Sequence, residues 1–237
     1  MEPPLPPRWA PGSFLARLSP EQVAELLQTG VRHHFEPGRP LLWEGDPSTH
    51  VEILVRGFVK ITILVDGIEV LVGIRVSGDL IGEMAGLSQK PRSATATACG
   101  RVTSVVLTQA NFHRFLHRYP EAALSMAAAV GERLRWATER QTEFAAFPAE
   151  IRLARVLVDI AWSCGQPTEE GLTIAVALSQ PELATMIGAS EATVQKVQRE
   201  LRENGIIRTG YRRITVVDLP ALRSLGEGSD QWRTLTG

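Results

Sequence analysis

The chain has 237 residues, of which 44% are hydrophobic and 22% are charged, so it is long enough to form two domains of ordinary size. Its 25 lysines and arginines nearly balance its 26 aspartates and glutamates, and the net charge of −1 excludes a protein-wide attraction to nucleic acids or membranes. Its two cysteines form neither a disulfide framework nor a metal-ligand pattern. No signal-like or membrane-spanning stretch is visible, so we expect a cytoplasmic protein without a metal site or a membrane partner.

The N-terminal region predicts a tail followed by a β domain. Prolines at positions 3, 4, 6, 7 and 11 favour an extended chain, and residues 1–18 are expected to form a proline-rich tail. Ser19 and Pro20 then predict the start of a short helix, because serine caps helices and proline suits their first turn. From Phe35 to Leu107, short Val/Ile/Leu runs alternate with glycines at the spacing of a compact barrel or sandwich. We therefore predict a β domain over residues 19–119.

Helical periodicity follows, and it predicts one long helix with a hinge over residues 120–147. Apolar or small residues recur at alternating spacings of four and three, at Ala123, Ala127, Val130, Leu134, Ala137, Gln141 and Phe144. This is the 3.5-residue period of a coiled-coil seam, which favours a homodimer. The alternative is that the stripe covers the β domain of the same chain.

The C-terminal part carries the signals of a helix-turn-helix. We expect a DNA-binding domain over residues 148–225, followed by a tail over residues 226–237. Ser179 and Glu182 form a predicted capping box, Gly188 permits a tight turn, and Ser190 caps the second helix. The same residues also occur in ordinary helical hairpins, but here a basic second helix and a hairpin follow, which favours binding to double-stranded DNA.

Two groups of residues are predicted to contact DNA. The outer face of the second helix can reach base edges in a major groove, with Ser190, Glu191, Ala192, Gln195, Lys196 and Arg199. For Glu191, the alternative is a carboxylate that merely stabilises the helix N-terminus. A hairpin over residues 205–217 would form a wing and bring Arg208, Arg212 and Arg213 to the phosphates. No nucleophile–base pair or metal-ligand spacing is visible, so an enzyme is not expected.

A polar cassette lies inside the β region. Gly82 and Glu83 are followed, after a loop, by Arg92 and Ser93. An arginine fork and a hydroxyl suit a phosphate, and a carboxylate suits a ribose hydroxyl. By residue type alone, Glu83 and Arg92 could equally form an internal salt bridge.

With these elements in this order, the chain resembles the cyclic-AMP receptor (Crp/Fnr) family of bacterial transcription regulators over nearly its full length. The cassette matches the family's G-E-L and R-S-A signature, with Met84 in place of the leucine. The resemblance implies an α+β fold with an N-terminal cyclic-nucleotide-binding β-roll, a long dimerisation helix and a C-terminal winged helix-turn-helix. It also implies a dimeric regulator that binds DNA and contacts RNA polymerase.

The resemblance further implies an effector site. Arg92 and Ser93 would hold the cyclic phosphate, Gly82 would offer its backbone and Glu83 would bind the ribose 2′-hydroxyl. Ala137 and Thr138 correspond to two hydroxyl residues that read adenine, so only Thr138 keeps this group. The expected allosteric effector is cyclic AMP, with cyclic GMP as a second candidate and no other cofactor. The remaining alternative is a β domain that senses another effector or none.

Overall fold

A computed structural model describes residues 9–228 of the chain. It contains two compact units, the first formed by residues up to Ile63 and by Gly73–Leu134, and the second by Leu64–Val72 and the chain from Arg135 onward.

The first unit is built around an antiparallel sheet. A 3₁₀ turn (Leu15–Arg17) and α1 (Pro20–Thr29) precede β1 (Val31–Phe35), β2 (Pro40–Leu42), β3 (Val51–Val65), β4 (Ile68–Arg75) and β5 (Leu80–Ile81). They are followed by α2 (Glu83–Ser88), β6 (Thr95–Leu107), α3 (Gln109–Arg118) and the long helix α4 (Pro120–Ala146). Of these elements, Leu64–Val72 at the turn between β3 and β4 and the part of α4 from Arg135 onward belong to the second unit. The sheet order is β1-β6-β3-β4, with β2 paired to β6 and β5 paired to β3.

The sheet buries apolar side chains on both faces, because successive residues of a strand point in opposite directions. On β3, Ile53 joins a cluster that includes Phe112 of α3 and Met126 of α4. Its neighbour Leu54 joins a second cluster with Ile81 and other residues inside the roll. The second cluster lies beside the cassette and forms its apolar surroundings.

The prediction of a tail over residues 1–18 is wrong for its described part, residues 9–18. Phe14 and Leu15 are only 0% and 1% exposed and belong to the core of the β domain. The backbone amide of Leu15 also donates to Gly78 O at 3.0 Å. Burial of Phe14 and Leu15 outweighs the extended preference of the segment, because the removal of apolar side chains from water is favourable. Residues 1–8 lie outside the described residues, as do residues 229–237 of the predicted C-terminal tail.

The second unit is a winged helix-turn-helix. It contains α5 (Ala149–Cys164), β7 (Gly165–Thr168), β8 (Gly171–Ile174), α6 (Gln180–Ile187), α7 (Glu191–Glu203), β9 (Ile207–Gly210), β10 (Arg213–Val216) and α8 (Leu219–Gly226). Its antiparallel sheet has the order β7-β8-β10-β9. The predicted fold class, a β domain followed by a long helix and a winged helix-turn-helix, is confirmed.

The long helix α4 has two apolar faces. Ala122, Met126 and Ala129 are buried against the β domain. Leu124 and Leu134, by contrast, are 73% and 68% exposed. The alternative that the predicted seam covers the β domain therefore does not hold for Leu134, because a different stripe of the same helix performs that role.

Candidate effector cavity and DNA-binding face

The cassette begins at a glycine that no other residue could replace without strain. Gly82 follows β5 with φ +80°, in the left-handed region, and forms the N-cap of α2. A Cβ atom at this position would overlap the Arg92 guanidinium and lie 2.8 Å from Leu42 Cδ1. The glycine therefore permits both the turn and the close approach of Arg92.

Arg92 is 3% exposed and holds three chain segments together. Its Nη1 donates to Gly82 O at 2.8 Å, its Nη2 to His50 O at 2.7 Å and its Nε to Ser48 Oγ at 3.2 Å. Burial lowers the pKa of Arg92, opposed chiefly by the nearby Asp46. A guanidinium has five N–H donors, so two of them are left for a phosphate oxygen.

Glu83 does not form the internal salt bridge with Arg92 that residue types alone allowed. Its Oε1 accepts from Arg133 Nη1 of α4 at 2.7 Å. Arg133 also donates to Leu80 O at 3.1 Å and lies 3.6 Å from Asp79. Arg133 was not predicted from the sequence, because nothing in the pattern of α4 indicates which of its residues lies at the cassette.

Gly82, Glu83, Arg92 and Ser93 all line one cavity of about 80 Å³ within the first unit. The structure therefore brings together four of the five predicted effector-binding residues. Leu42, Ile61 and Ile81 supply apolar walls, and Arg75 and Arg133 add two cations that were not predicted. The fifth residue, Thr138, is an exposed residue of α4, and its role in reading the base stays a prediction.

The helix-turn-helix has the predicted local geometry. Ser179 Oγ accepts from the backbone of Glu182, whose side chain accepts from the Ser179 amide, so the capping box is complete. Gly188 has φ +58° at the turn, and Ser190 Oγ accepts from Thr193 N at 3.2 Å. Leu183 of α6 and Val194 of α7 are fully buried where the helices cross. These features position α7 as the exposed second helix.

All the residues predicted to bind DNA are exposed, namely Ser190, Glu191, Ala192, Gln195, Lys196, Arg199, Arg208, Arg212 and Arg213. Three of them also have partners within the protein. The Ser190 hydroxyl caps α7, Lys196 lies 4.0 Å from Glu200, and Arg208 forms a 2.9 Å ion pair with Glu170. Both ion pairs are largely exposed, and pairs of this kind contribute little and exchange readily for a phosphate.

A concave groove runs between α7 and the wing. It is lined by Gln195, Arg199 and Arg202 on the helix side and by Tyr211, Arg212 and Arg213 on the wing side. The register of β9 and β10 pairs Gly210 with Arg213, so Tyr211 and Arg212 form the two-residue turn at the tip. Tyr211, which was not predicted to contact DNA, is 93% exposed. This groove concentrates the positive charge that the overall composition lacks.

Among residues 9–228, no helix is long and apolar enough to span a membrane, and no group of three or more His, Cys, Asp or Glu side chains could hold a metal ion.

Both halves of the chain match known families. The cyclic nucleotide-binding domain matches residues 32–119, and the Crp-like helix-turn-helix domain matches residues 151–225. The first match covers every residue that lines the cavity except Arg133, and the second covers α6, α7 and the wing.

Relatives and solved structures agree with these matches. The chain is 27% identical to a cyclic AMP receptor protein of Thermus thermophilus, over 89% of this chain and 95% of the relative. It is 26% identical to a CRP-like cAMP-activated global transcriptional regulator of Mycobacterium tuberculosis, over 85% of this chain and 90% of the relative. Its fold is similar to that of a c-di-GMP responsive global regulator of Xanthomonas campestris, with a TM-score of 0.71 at 17% identity, covering 84% of this chain and 99% of that one. The chain therefore belongs to the cyclic-AMP receptor (Crp/Fnr) family, whose members are DNA-binding transcription regulators and not enzymes.

Proposed function

We propose that the protein is a homodimeric, sequence-specific regulator whose binding to DNA is controlled by a cyclic nucleotide. Cyclic AMP is the proposed effector, because two relatives are named for it, and cyclic GMP is the second candidate. The observation that carries the proposal is the single cavity lined by Gly82, Glu83, Arg92 and Ser93. Binding to chromosomal DNA would place the protein in the cytoplasm, where RNA polymerase is a further proposed partner.

The chemistry of the cavity suits a cyclic phosphate at one end and a ribose beside it. Arg92 offers two remaining donors and Ser93 offers a hydroxyl, and charge-assisted bonds of this kind are strong. The Glu83 carboxylate can accept a hydrogen bond from the 2′-hydroxyl, because one of its oxygens remains available beside Arg133. Gly82 permits both the turn that precedes Glu83 and the close approach of Arg92.

The small size of the cavity supports a binding step in which its walls move. A volume of about 80 Å³ is well below the roughly 300 Å³ that begins the usual range of ligand pockets. The ion pair between Glu83 and Arg133 joins the cassette to the long helix α4. A nucleotide that inserts beside Glu83 would change this contact. It can shift the equilibrium between two arrangements of the protein only by the difference between its binding free energies for the two.

The exposed apolar face of α4 supports self-association. Leu124, Ala127 and Leu134 are exposed at spacings of three and seven residues along the helix. The opposite face is already buried against the β domain, so this face is available to a second copy. A small residue at position 127 would let two such helices approach closely. In a dimer, two recognition helices about 34 Å apart would read successive major grooves.

The predicted hinge at residues 144–148 is where we propose that the effector signal reaches the DNA-binding helices. In the second unit, Arg140 Nη2 lies 2.7 Å from Asp159 Oδ2, and Arg155 Nη1 lies 2.9 Å from Glu143 Oε1. These ion pairs bridge α4 and α5 across the bend. A change in the angle between the two helices must therefore rearrange them.

Calorimetric titration with cyclic AMP and cyclic GMP tests the proposal. Arg92→Ala should weaken binding about tenfold to a hundredfold, because it removes a charge-assisted contact of about 1.5–3 kcal/mol. Since Arg92 also holds three segments, Ser93→Ala serves as a second variant that removes only an exposed hydroxyl. It should weaken binding by about twofold to tenfold. Arg101→Ala, at an 88% exposed arginine of the same β domain, is the matched control.

The same samples should then be assayed on DNA. Duplexes selected from a random pool should bind more tightly when the nucleotide is present, and sedimentation should show a dimer. Nucleotide binding that leaves the affinity for selected duplexes unchanged would refute the allosteric part of the proposal. Absence of binding by either nucleotide would favour the alternative of a different effector or none, since the same fold occurs in a regulator described as c-di-GMP responsive.

A further inference from the structure

Arg75 places a third guanidinium in the effector cavity. It is the last residue of β4 and lines the cavity together with Glu83, Arg92 and Arg133. Residue 73 lies on the same face of the strand, and a Cβ there would be 3.1 Å from Arg75 Nη1. Because residue 73 is a glycine, no side chain fills the space beside it, and the Arg75 guanidinium occupies that space.

Arg75 is poorly paired within the protein. Among the described residues it has no carboxylate partner within 4 Å, and its one side-chain hydrogen bond is a long contact of 3.3 Å to Ile74 O. Asp79 and Glu83 both pair with Arg133 instead. Loss of hydration, reinforced by the charge of Arg133, lowers the pKa of Arg75 to about 10. It remains charged at neutral pH. A partly buried cation of this kind reduces the stability of the folded protein unless a partner accepts its hydrogen bonds.

The three guanidinium groups of the cavity have different partners. Arg92 donates to Gly82 O, Ser48 Oγ and His50 O, and Arg133 pairs with Glu83 and Asp79. If the phosphate binds at Arg92 and the ribose at Glu83 beside Arg133, Arg75 is the cation of the cavity lining that is left to face the base.

We propose that Arg75 is a specificity-determining residue that donates hydrogen bonds to the base of the bound nucleotide and favours guanine over adenine. A guanidinium only donates hydrogen bonds. Guanine presents two adjacent acceptors, N7 and O6, whereas adenine presents N7 beside the N6 amino group, which is itself a donor. This inference rests on the proposed function, and within it the inference predicts tighter binding of cyclic GMP, the second candidate, than of cyclic AMP.

The test compares cyclic AMP, cyclic GMP and cyclic IMP on the wild-type chain and on Arg75→Leu by calorimetry. Arg75→Leu should weaken binding of cyclic GMP about tenfold to a hundredfold more than binding of cyclic AMP. Cyclic IMP should follow cyclic GMP, because hypoxanthine keeps O6 and N7 and lacks only the amino group at C2. Arg101→Leu, at an exposed arginine, is the matched control, and thermal unfolding of each variant reports on the fold.

Arg75→Lys provides the second measurement, because lysine keeps the charge and loses the planar fork. This variant should lose most of the preference for guanine, because an ammonium group can donate to N7 of either purine but does not span N7 and O6 as a planar fork does. Equal losses for all three nucleotides would overturn the inference, since Arg75 would then act only through its charge. Unchanged binding of all three would also overturn it. If the wild-type chain binds no cyclic nucleotide, the proposed function fails first, and the inference fails with it.

Discussion

Replacement of Gly82 by alanine tests how closely the Arg92 guanidinium packs against the backbone of the cassette. Gly82 and Gly38 lie in the same β domain and have nearly equal φ values of +80° and +78°. Alanine at either position costs about 1–2 kcal/mol, because an L-residue strains in the left-handed region. Around Gly38 a Cβ meets nothing within 4 Å, whereas at Gly82 it overlaps the Arg92 guanidinium. Overpacking adds about 1–3 kcal/mol, so Gly82→Ala should cost about 2–5 kcal/mol in total.

Urea unfolding followed by circular dichroism gives the free energy of unfolding of both variants, and calorimetry gives their affinity for cyclic AMP. Gly82→Ala should lose both stability and nucleotide affinity, because Arg92 must move away from its three acceptors. Gly38→Ala should lose only the smaller amount of stability and keep its affinity. Equal losses of stability would show that the contact between Gly82 and Arg92 is not tight, and the reasoning on the cassette would be refuted.

Three further predictions concern the other surfaces. Lys196→Ala should weaken binding to selected DNA duplexes and leave binding to random duplexes unchanged. Arg212→Ala should weaken binding to both kinds of duplex and reduce the number of counterions released on binding by about one. Fluorescence anisotropy at several salt concentrations measures both effects. Equal effects of the two variants on both kinds of duplex would contradict this assignment. Leu134→Glu should raise the dimer dissociation constant at least about tenfold in sedimentation experiments without loss of fold, because it would place a charge in the proposed interface; an unchanged constant would exclude this face. Gly188→Ala should destabilise the DNA-binding unit by about 1–2 kcal/mol in thermal unfolding, since its φ is +58° and its Cβ would press on the Phe144 ring at 3.2 Å. Wild-type stability would contradict that prediction.

The features that could be predicted from the sequence are those with local causes. A helix cap involves residues only three positions apart, so the sequence alone predicted the caps at Ser179 and Ser190. Both caps are present, with Glu182 and Thr193 as the partners. The left-handed glycine at position 188 and the hairpin of the wing are local in the same sense. The positions of the cassette were also readable, because Gly82, Glu83, Arg92 and Ser93 lie close together along the chain.

The partners of the charged side chains were not readable, because they depend on which segments the fold brings together. Arg133 is fifty residues from Glu83 along the chain, and its pairing needs α4 to pack against β5 and α2. The same reason explains why residues 9–18 were mistaken for a tail: Phe14 and Leu15 are buried in a core that is formed by much later strands and helices. Short-range patterns thus specified where the helices, turns and cassette lie. Long-range packing alone put Arg75 and Arg133 in the cavity, because a Coulombic contact between distant segments acts through space and leaves no pattern in the sequence around either residue.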